Sequence, residues 1–181
     1  LRHGEPVGGA GRYRGQIDDP LSDIGWQQMR AATTGPRPWS RIISSPLCRC
    51  RAFAETLAAD MGVPLHIEDA LQEIGFGVWE GKSKADIEAE TPEALARFYA
   101  DPITHRPEGA ESLAALLARV GAGCDNLLER FAGEHLLVVS HAGVMRAMFA
   151  HALGLPLASL YRIQVGNAEY SRYQWANGQA T

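Results

Sequence analysis

Leu136-Leu137-Val138-Val139-Ser140-His141-Ala142-Gly143 decides how the rest of the chain is read. Four apolar residues, two of them β-branched, predict a short buried strand. The strand then breaks into Ser-His-Ala-Gly, and Val144 to Leu153 continues with helical spacing. The same strand–turn–helix pattern occurs at Arg41-Ile42-Ile43-Ser44-Ser45, followed by Pro46-Leu47-Cys48-Arg49. From Leu47 to Met61, apolar residues Cys50, Phe53, Ala54, Leu57 and Ala58 form one stripe, and Gly62 follows as the cap. Leu1-Arg2-His3-Gly4 reads as the end of a third strand breaking into a glycine turn. Almost no strand precedes it, so the natural chain is expected to begin several residues earlier.

Further from these units, Pro64 to Ile67 predicts a weaker strand, and Glu169 to Trp175 alternates like an edge or hairpin strand. Helices are predicted from Ser22 to Thr33 and from Pro92 to Tyr99, with Thr91 as cap and Pro92 at the first position. A longer one begins at Ser112, with a stripe running from Leu113 through Val120 and Leu127 to Phe131. Strand–helix alternation of this kind argues for an α/β protein with a mostly parallel sheet covered on both faces. No repeat, low-complexity tract or linker divides residues 1–181, which predicts a single domain.

Composition removes several function classes. Of 181 residues, 46% are hydrophobic and 21% charged, which excludes intrinsic disorder. Seventeen Lys plus Arg against 21 Asp plus Glu give a net charge of −4, so no bulk positive field exists for nucleic acid. Cys48, Cys50 and Cys124 are too few for a disulfide framework, which points to a reducing, cytoplasmic setting. The apolar stretch Leu136 to Leu160 contains His141, Arg146 and His151, and a central arginine alone costs roughly 3 kcal/mol on insertion into a membrane. A strand and a buried helix account for it better.

Ligands of open parallel sheets collect at the carboxyl ends of the strands, where helix N-termini also point. Three strand ends here deliver Arg2 and His3, Arg49, and His141 to one edge. Guanidinium forks match a phosphoryl group, and helix N-termini favour an anion. The residues therefore predict a phosphate pocket holding two imidazoles. Arg2, Arg49 and a protonated His141 would bind the phosphoryl oxygens, while an unprotonated His3 nitrogen attacks phosphorus. No metal is needed, and no clustered set of metal ligands is present. The leaving oxygen needs an acid, and a carboxyl beside a phosphate dianion holds its proton more tightly. Leu71-Gln72-Glu73-Ile74-Gly75-Phe76-Gly77-Val78-Trp79-Glu80-Gly81 offers Glu73 in a rigid wall, with Glu80 and Glu68 as rivals.

Taken in order, Arg2-His3-Gly4-Glu5, Ser45-Pro46-Leu47-Cys48-Arg49, Glu73 with Phe76-Gly77-Val78-Trp79-Glu80-Gly81, and Ser140-His141-Ala142-Gly143 resemble the histidine phosphatase (phosphoglycerate mutase-like) superfamily. The stretch Gly11-Arg12-Tyr13-Arg14-Gly15, followed by Asp19-Pro20-Leu21-Ser22, is similar as well. The resemblance covers nearly the whole chain. It implies a three-layer α/β/α sandwich and a two-step reaction without metal or cofactor. His3 would be the phosphorylated nucleophile, Arg2, Arg49 and His141 the phosphate clamp, and Glu73 the acid. Arg14 and Gly15 would touch substrate, and Ala142, where many members have glycine, would offer a backbone N–H. Mutases of the family carry a longer insertion between the acid and the second histidine. The compact span here favours a phosphatase of small phosphorylated metabolites, most similar to bacterial α-ribazole-5′-phosphate phosphatases of cobalamin assembly.

A cofactor-dependent phosphoglycerate mutase, a protein phosphohistidine phosphatase and a non-catalytic module that holds phosphorylated ligands are the competing readings. Cys124 to Arg130 has the spacing of cysteine phosphatases but lies in an amphipathic helix, where it cannot wrap N–H groups round a phosphate. Cys124 is expected in the core and Cys48 beside the pocket. Arg51 is expected to face away, and His66, His105, His135 and His151 to serve no chemistry. Apolar residues near Tyr161 to Trp175 suggest a homodimer edge.

Overall fold

β-Branched and leucine side chains on two faces of three short strands organise the molecule. The computed structural model describes residues 1–176, 179 and 180. The central strand is β1 (Arg41–Ser44), flanked by β2 (Leu65–Ile67) and β3 (Leu136–Val139). Both neighbours run parallel to β1, with Ile43 opposite His66 on one side and Val138 on the other. Residues 1–3 extend the sheet beyond β3. Arg2 and Ser140 form a parallel bridge, His3 N donates to Ser140 O at 2.9 Å and Ser140 N to Leu1 O at 2.9 Å.

Period-two alternation divides the core into two layers. Ile42, Leu137 and Val139 face α1 (Asp23–Ala32) and α2 (Cys48–Met61), packing on Met29, Phe53 and Leu57. Ile43, Leu136 and Val138 face the opposite layer, where α5 (Leu113–Arg130) and α6 (Ala142–Leu153) supply Leu116, Val120, Leu127, Val144 and Ala147. Ile42 and Ile43 are both fully buried, each contributing about 1.5–3 kcal/mol from removal of its side chain from water. The expected sandwich of helices on both faces of a parallel sheet is what the chain forms.

The helix ends follow local chemistry. Ser22 accepts from Gly25 N and Ser112 from Ala115 N, so the predicted starts of α1 and α5 hold. Gly62 closes α2 as expected. Two expectations fail. The helix predicted over Pro92 to Tyr99 forms as α4 (Ala94–Ala100), but its cap is Glu93, at φ 64°, in place of Thr91, and a separate helix α3 (Lys84–Glu90) precedes it. α3 is nucleated by a capping box in which Ser83 and Asp86 satisfy each other's backbone N–H groups. Glu88 then supplies the next cap, accepting from Glu93 N and Leu95 N at 3.0 Å each.

The strand expected over Glu169 to Trp175 is also absent. Its only strand residue is Trp175, which begins β4 (Trp175–Ala176), paired antiparallel with β5 (Gln179–Ala180). The preceding segment is consumed by the start of the chain: Arg2 N donates to Glu169 O at 3.0 Å, and Ala168 N to His3 O at 3.3 Å. No helix among the described residues is long and apolar enough to cross a membrane.

Candidate active site

The carboxyl ends of the strands converge on a cavity of about 170 Å³ lined by Arg2, His3, Arg14, Gly15, Arg49, Glu73 and Ala142, among others. Seven of the eight residues singled out in the sequence therefore share one wall. The eighth, His141, lies directly behind it.

His3 is 5% exposed. Its Nδ1 lies 2.7 Å from the Gly4 carbonyl. A carbonyl can only accept, so Nδ1 carries the proton and Nε2 keeps its lone pair. Burial pushes the imidazole pKa down to about 3, with Arg2 and Arg49 adding to the effect. The ring is therefore neutral and nucleophilic throughout the physiological range.

His141 is fully buried, and its ring meets His3 edge-on with centroids 5.1 Å apart. Arg49 Nε donates to its Nδ1 at 3.3 Å, which leaves the proton on Nε2, 2.7 Å from Ser45 Oγ. Burial first, then Arg49 and His3, hold its pKa well below the usual imidazole range. This corrects the expectation of a protonated imidazole facing the phosphate. His141 is neutral, and both its nitrogens are committed to protein partners. Sequence could place it at the strand end but could not show that Ser45 and Arg49 would enclose it.

Arg49 is 1% exposed. Beyond His141, its Nη1 donates to Ile17 O at 2.6 Å and its Nη2 to Gly15 O at 2.8 Å. Three of its five N–H groups thus tie the Gly15 loop to the sheet, and two remain for the cavity. Gly15 adopts φ 53°, and a Cβ there would collide with the Glu80 carboxylate, so the position requires glycine. Arg14 spends its guanidinium on Asp19 (3.1 Å), Val7 O (2.9 Å) and Gly9 O (2.6 Å), fixing the same loop.

Of the three candidate acids, only Glu73 lines the cavity. Glu80 accepts from Gln16 N at 3.1 Å and Phe76 N at 2.9 Å, behind Gly15. Glu68 accepts from Ala70 N and pairs with His66 at 3.5 Å. Glu73 rests on the N-terminus of α6, accepting from Gly143 N at 3.3 Å, and from Ile74 N at 3.0 Å. Its loop is fastened by a residue the sequence reading did not single out. Arg119 donates to Ala70 O (2.8 Å), Gln72 O (2.7 Å) and Glu73 O (3.3 Å). It also grips Glu111 bidentately at 2.6 and 2.8 Å. Nothing local in the sequence signals this contact, because 46 residues separate Arg119 from Glu73.

Arg146, Tyr161 and Asn167 line the cavity too and were likewise missed. Arg146 had a signal: it follows Gly143 by three residues, so both lie on one helix face. Cys50 and Cys124 are buried as expected, whereas Cys48, expected beside the pocket, is not among the residues that line it. Cys50 Sγ lies 3.5 Å from His141 Nε2, while Cys48 Sγ points to Asp18 O at 3.2 Å. The rejected Cys124 is buried on α5. Arg51 pairs outward with Glu55, and His151 with Asp125 at 2.8 Å. Among the described residues no group of three or more His, Cys, Asp or Glu could hold a metal.

These features match known proteins. The chain is 33% identical over 184 residues to the adenosylcobalamin/alpha-ribazole phosphatase of Salmonella typhimurium, covering 100% of this chain and 91% of that one. It is 32% identical over 175 residues to a bifunctional protein of Mycobacterium tuberculosis, covering 94% of this chain but only 48% of that protein, so it spans about half of that relative's length. A solved mycobacterial glucosyl-3-phosphoglycerate phosphatase, in complex with VO3, superposes with a TM-score of 0.85 at 31% identity, covering 99% and 92% of the two chains. The family model of the histidine phosphatase superfamily (branch 1) spans residues 1–181. An imidazole among arginines at the strand ends, in a chain matched from first residue to last, makes this protein a member of the histidine phosphatase superfamily.

Proposed function

We propose that this chain hydrolyses small phosphate monoesters through a phosphohistidine at His3. The observation that carries the reading is the state of that ring: Nδ1 locked on Gly4 O, Nε2 bare, and the pKa pushed down to about 3. In the first step the Nε2 lone pair bonds to phosphorus as the ester P–O bond breaks. The departing oxygen takes a proton from Glu73. In the second step water attacks the phosphohistidine, returning a proton to the Glu73 carboxylate as the N–P bond breaks and inorganic phosphate leaves. Arg2, the two uncommitted N–H groups of Arg49 and the backbone N–H group at Ala142 hold the phosphoryl oxygens. His141 holds Arg49 and supports the His3 ring from behind. Arg14 and Gly15 shape the opposite wall.

Among substrates, α-ribazole-5′-phosphate is one candidate, supported by the sequence resemblance and by the Salmonella relative. A cytoplasmic setting is part of the proposal, supported by three free thiols. The test is hydrolysis of an aryl phosphate in the presence of chelator, with rapid quench to trap a label stable in base and lost in acid. His3→Ala should lose at least about 10³-fold in kcat and all of the label. Turnover persisting in His3→Ala would overturn the nucleophile assignment. Tight ester binding with no turnover on a broad panel would favour a binding module. Primer-dependent interconversion of phosphoglycerates would favour a mutase.

A further inference from the structure

Two phenols line the cavity and are committed differently. Tyr13 shares a hydrogen bond with Tyr99, hydroxyl to hydroxyl at 2.7 Å, in which either oxygen can donate. Tyr161, in a 3-10 turn over Leu157–Arg162, has its oxygen 3.3 Å from Arg106 Nη1. A guanidinium can only donate, so Tyr161 accepts there and its own proton points elsewhere. Among the described residues nothing accepts that proton.

Arg106 is itself held. Its Nη2 donates to Gly75 O at 3.2 Å, and its guanidinium lies 5.5 Å from the centre of the Phe76 ring and 5.8 Å from that of Phe98. Phe98 meets the Tyr161 ring edge-on at 4.8 Å. The phenol is thereby fixed to the loop that carries Glu73. Burial holds its pKa above the ordinary phenol value, although Arg106 and Arg146 pull the other way, so the hydroxyl stays a donor at neutral pH.

Tyr161 stands on the Glu73 side of the cavity. Glu73 acts on it electrostatically. Arg146, 5.5 Å from the centre of its ring, lies one helical turn beyond Gly143, whose N–H holds Glu73. His3 approaches phosphorus from the other side. In-line displacement places the departing ester oxygen, and later the attacking water, at one position opposite His3 Nε2. In either step that oxygen can accept one hydrogen bond besides its dealings with phosphorus and Glu73.

We infer that Tyr161 is a further catalytic residue, whose O–H donates to the oxygen opposite His3 in both steps, and that Arg106 is the positioning residue that aims it. The inference rests on the phosphatase reading. Tyr161 transfers no proton: Glu73 gives one to the leaving oxygen and recovers one from water, while the phenol keeps its own.

The test is Tyr161→Phe, which removes one oxygen and keeps the ring against Phe98, followed by rapid-quench measurement of the label on His3. Its formation from p-nitrophenyl phosphate and from an alkyl phosphate should both slow by about 3- to 10-fold, and its decay in water likewise, as loss of one neutral hydrogen bond predicts. The aryl ester is decisive, because its leaving group needs no proton and a merely displaced Glu73 would spare it. Adding Arg106→Met to Tyr161→Phe should slow the aryl ester no further, since the two side chains act as one unit. Unchanged rates in Tyr161→Phe would overturn the inference while leaving the phosphatase reading intact. So would a loss confined to alkyl esters, or a loss found in Tyr13→Phe or Asn167→Ala instead. Additive losses in the double variant would overturn the role of Arg106. Failure of the native chain to form any label on His3 would remove the phosphatase reading and this inference together.

Discussion

The two ends of the cavity are built on different principles. At the phosphoryl end, His3, Arg49 and His141 each follow a strand closely and are 5%, 1% and 0% exposed. Their positions are set by a parallel sheet whose register the buried face fixes, and they bond to one another and to adjacent backbone. At the leaving-group end, Glu73, Phe76, Tyr161 and Asn167 come from 3-10 turns and irregular chain, and only Arg146 comes from a helix. Their placement depends on long-range ties such as Arg119–Glu111. The first arrangement suits a step common to all phosphate esters; the second can be rebuilt for different alcohols without disturbing the sheet.

Removing the acid should give the largest departure between the ends. Glu73→Gln is expected to lower kcat by about 10²–10⁴-fold for alkyl phosphates, the usual contribution of a general acid. It should cost far less for p-nitrophenyl phosphate, whose leaving group needs no proton. Equal losses on both substrates would place Glu73 in phosphoryl binding and erase the distinction.

Next comes the tie that holds the Glu73 loop. Arg119→Met leaves Glu111 and three carbonyls without their donor, so stability should fall by about 2–4 kcal/mol. In the folded fraction, kcat on alkyl phosphates should fall more than kcat on the aryl ester, as if Glu73 were misplaced. Urea denaturation followed by kinetics at fixed folded fraction checks both. A purely structural role would lower stability and leave the alkyl-to-aryl ratio unchanged.

The phosphoryl end should govern stability in acid. His3 and His141 are neutral when folded, with pKa values depressed below the unfolded imidazole near 6.5. Between those limits the unfolded chain binds more protons, so stability rises with pH. The contribution is complete above pH 6.5 and is lost as pH falls toward about 3 for His3, at up to about 1.4 kcal/mol per pH unit per imidazole. Denaturation midpoints of the native chain and His3→Gln, compared at pH 7 and 5, should show a shallower slope in the variant. Identical slopes would mean that His3 is not held neutral by the fold.

The smallest effect probes the seam between the two ends. A methyl at Gly143 would collide with the Glu73 carboxylate and lie 2.8 Å from Ile74 Cγ2. Gly143→Ala should therefore displace the acid and cost about 10-fold in alkyl ester turnover. Ala142→Gly, one residue earlier, should cost less than about 3-fold in kcat, because its backbone N–H remains. Reversal of that order would show that the helix N-terminus adapts where the packing says it cannot.

Legibility in the sequence followed how local the cause was. β1, β3, α2 and α5 were readable because apolar periodicity and flanking caps lie within each segment. α3 was not read from the sequence although its capping box, Ser83 with Asp86, is local, because seven residues are too few to show an apolar stripe. The strand expected at Glu169 to Trp175 failed for the opposite reason. Its alternation is real, but residues 1–3 take the backbone groups at Ala168 and Glu169, a competition no local pattern reveals. Ala168 itself adopts φ 55°, a left-handed conformation incompatible with a continuous strand.

The sequence by itself determined which chemistry could be brought together: short β-branched strands ending in Arg-His-Gly, Ser-Pro-Leu-Cys-Arg and Ser-His-Ala-Gly leave arginines and imidazoles at one sheet edge, because parallel strands end on the same side. Only the tertiary structure decided how each group is used. It locked the His3 tautomer on Gly4, enclosed His141 between Ser45 and Arg49, spent Arg14 on its own loop and left Arg146 without a carboxylate partner among the described residues. Protonation and hydrogen-bond allegiance depend on burial and on neighbours tens of residues away, and those are set when the chain closes on itself.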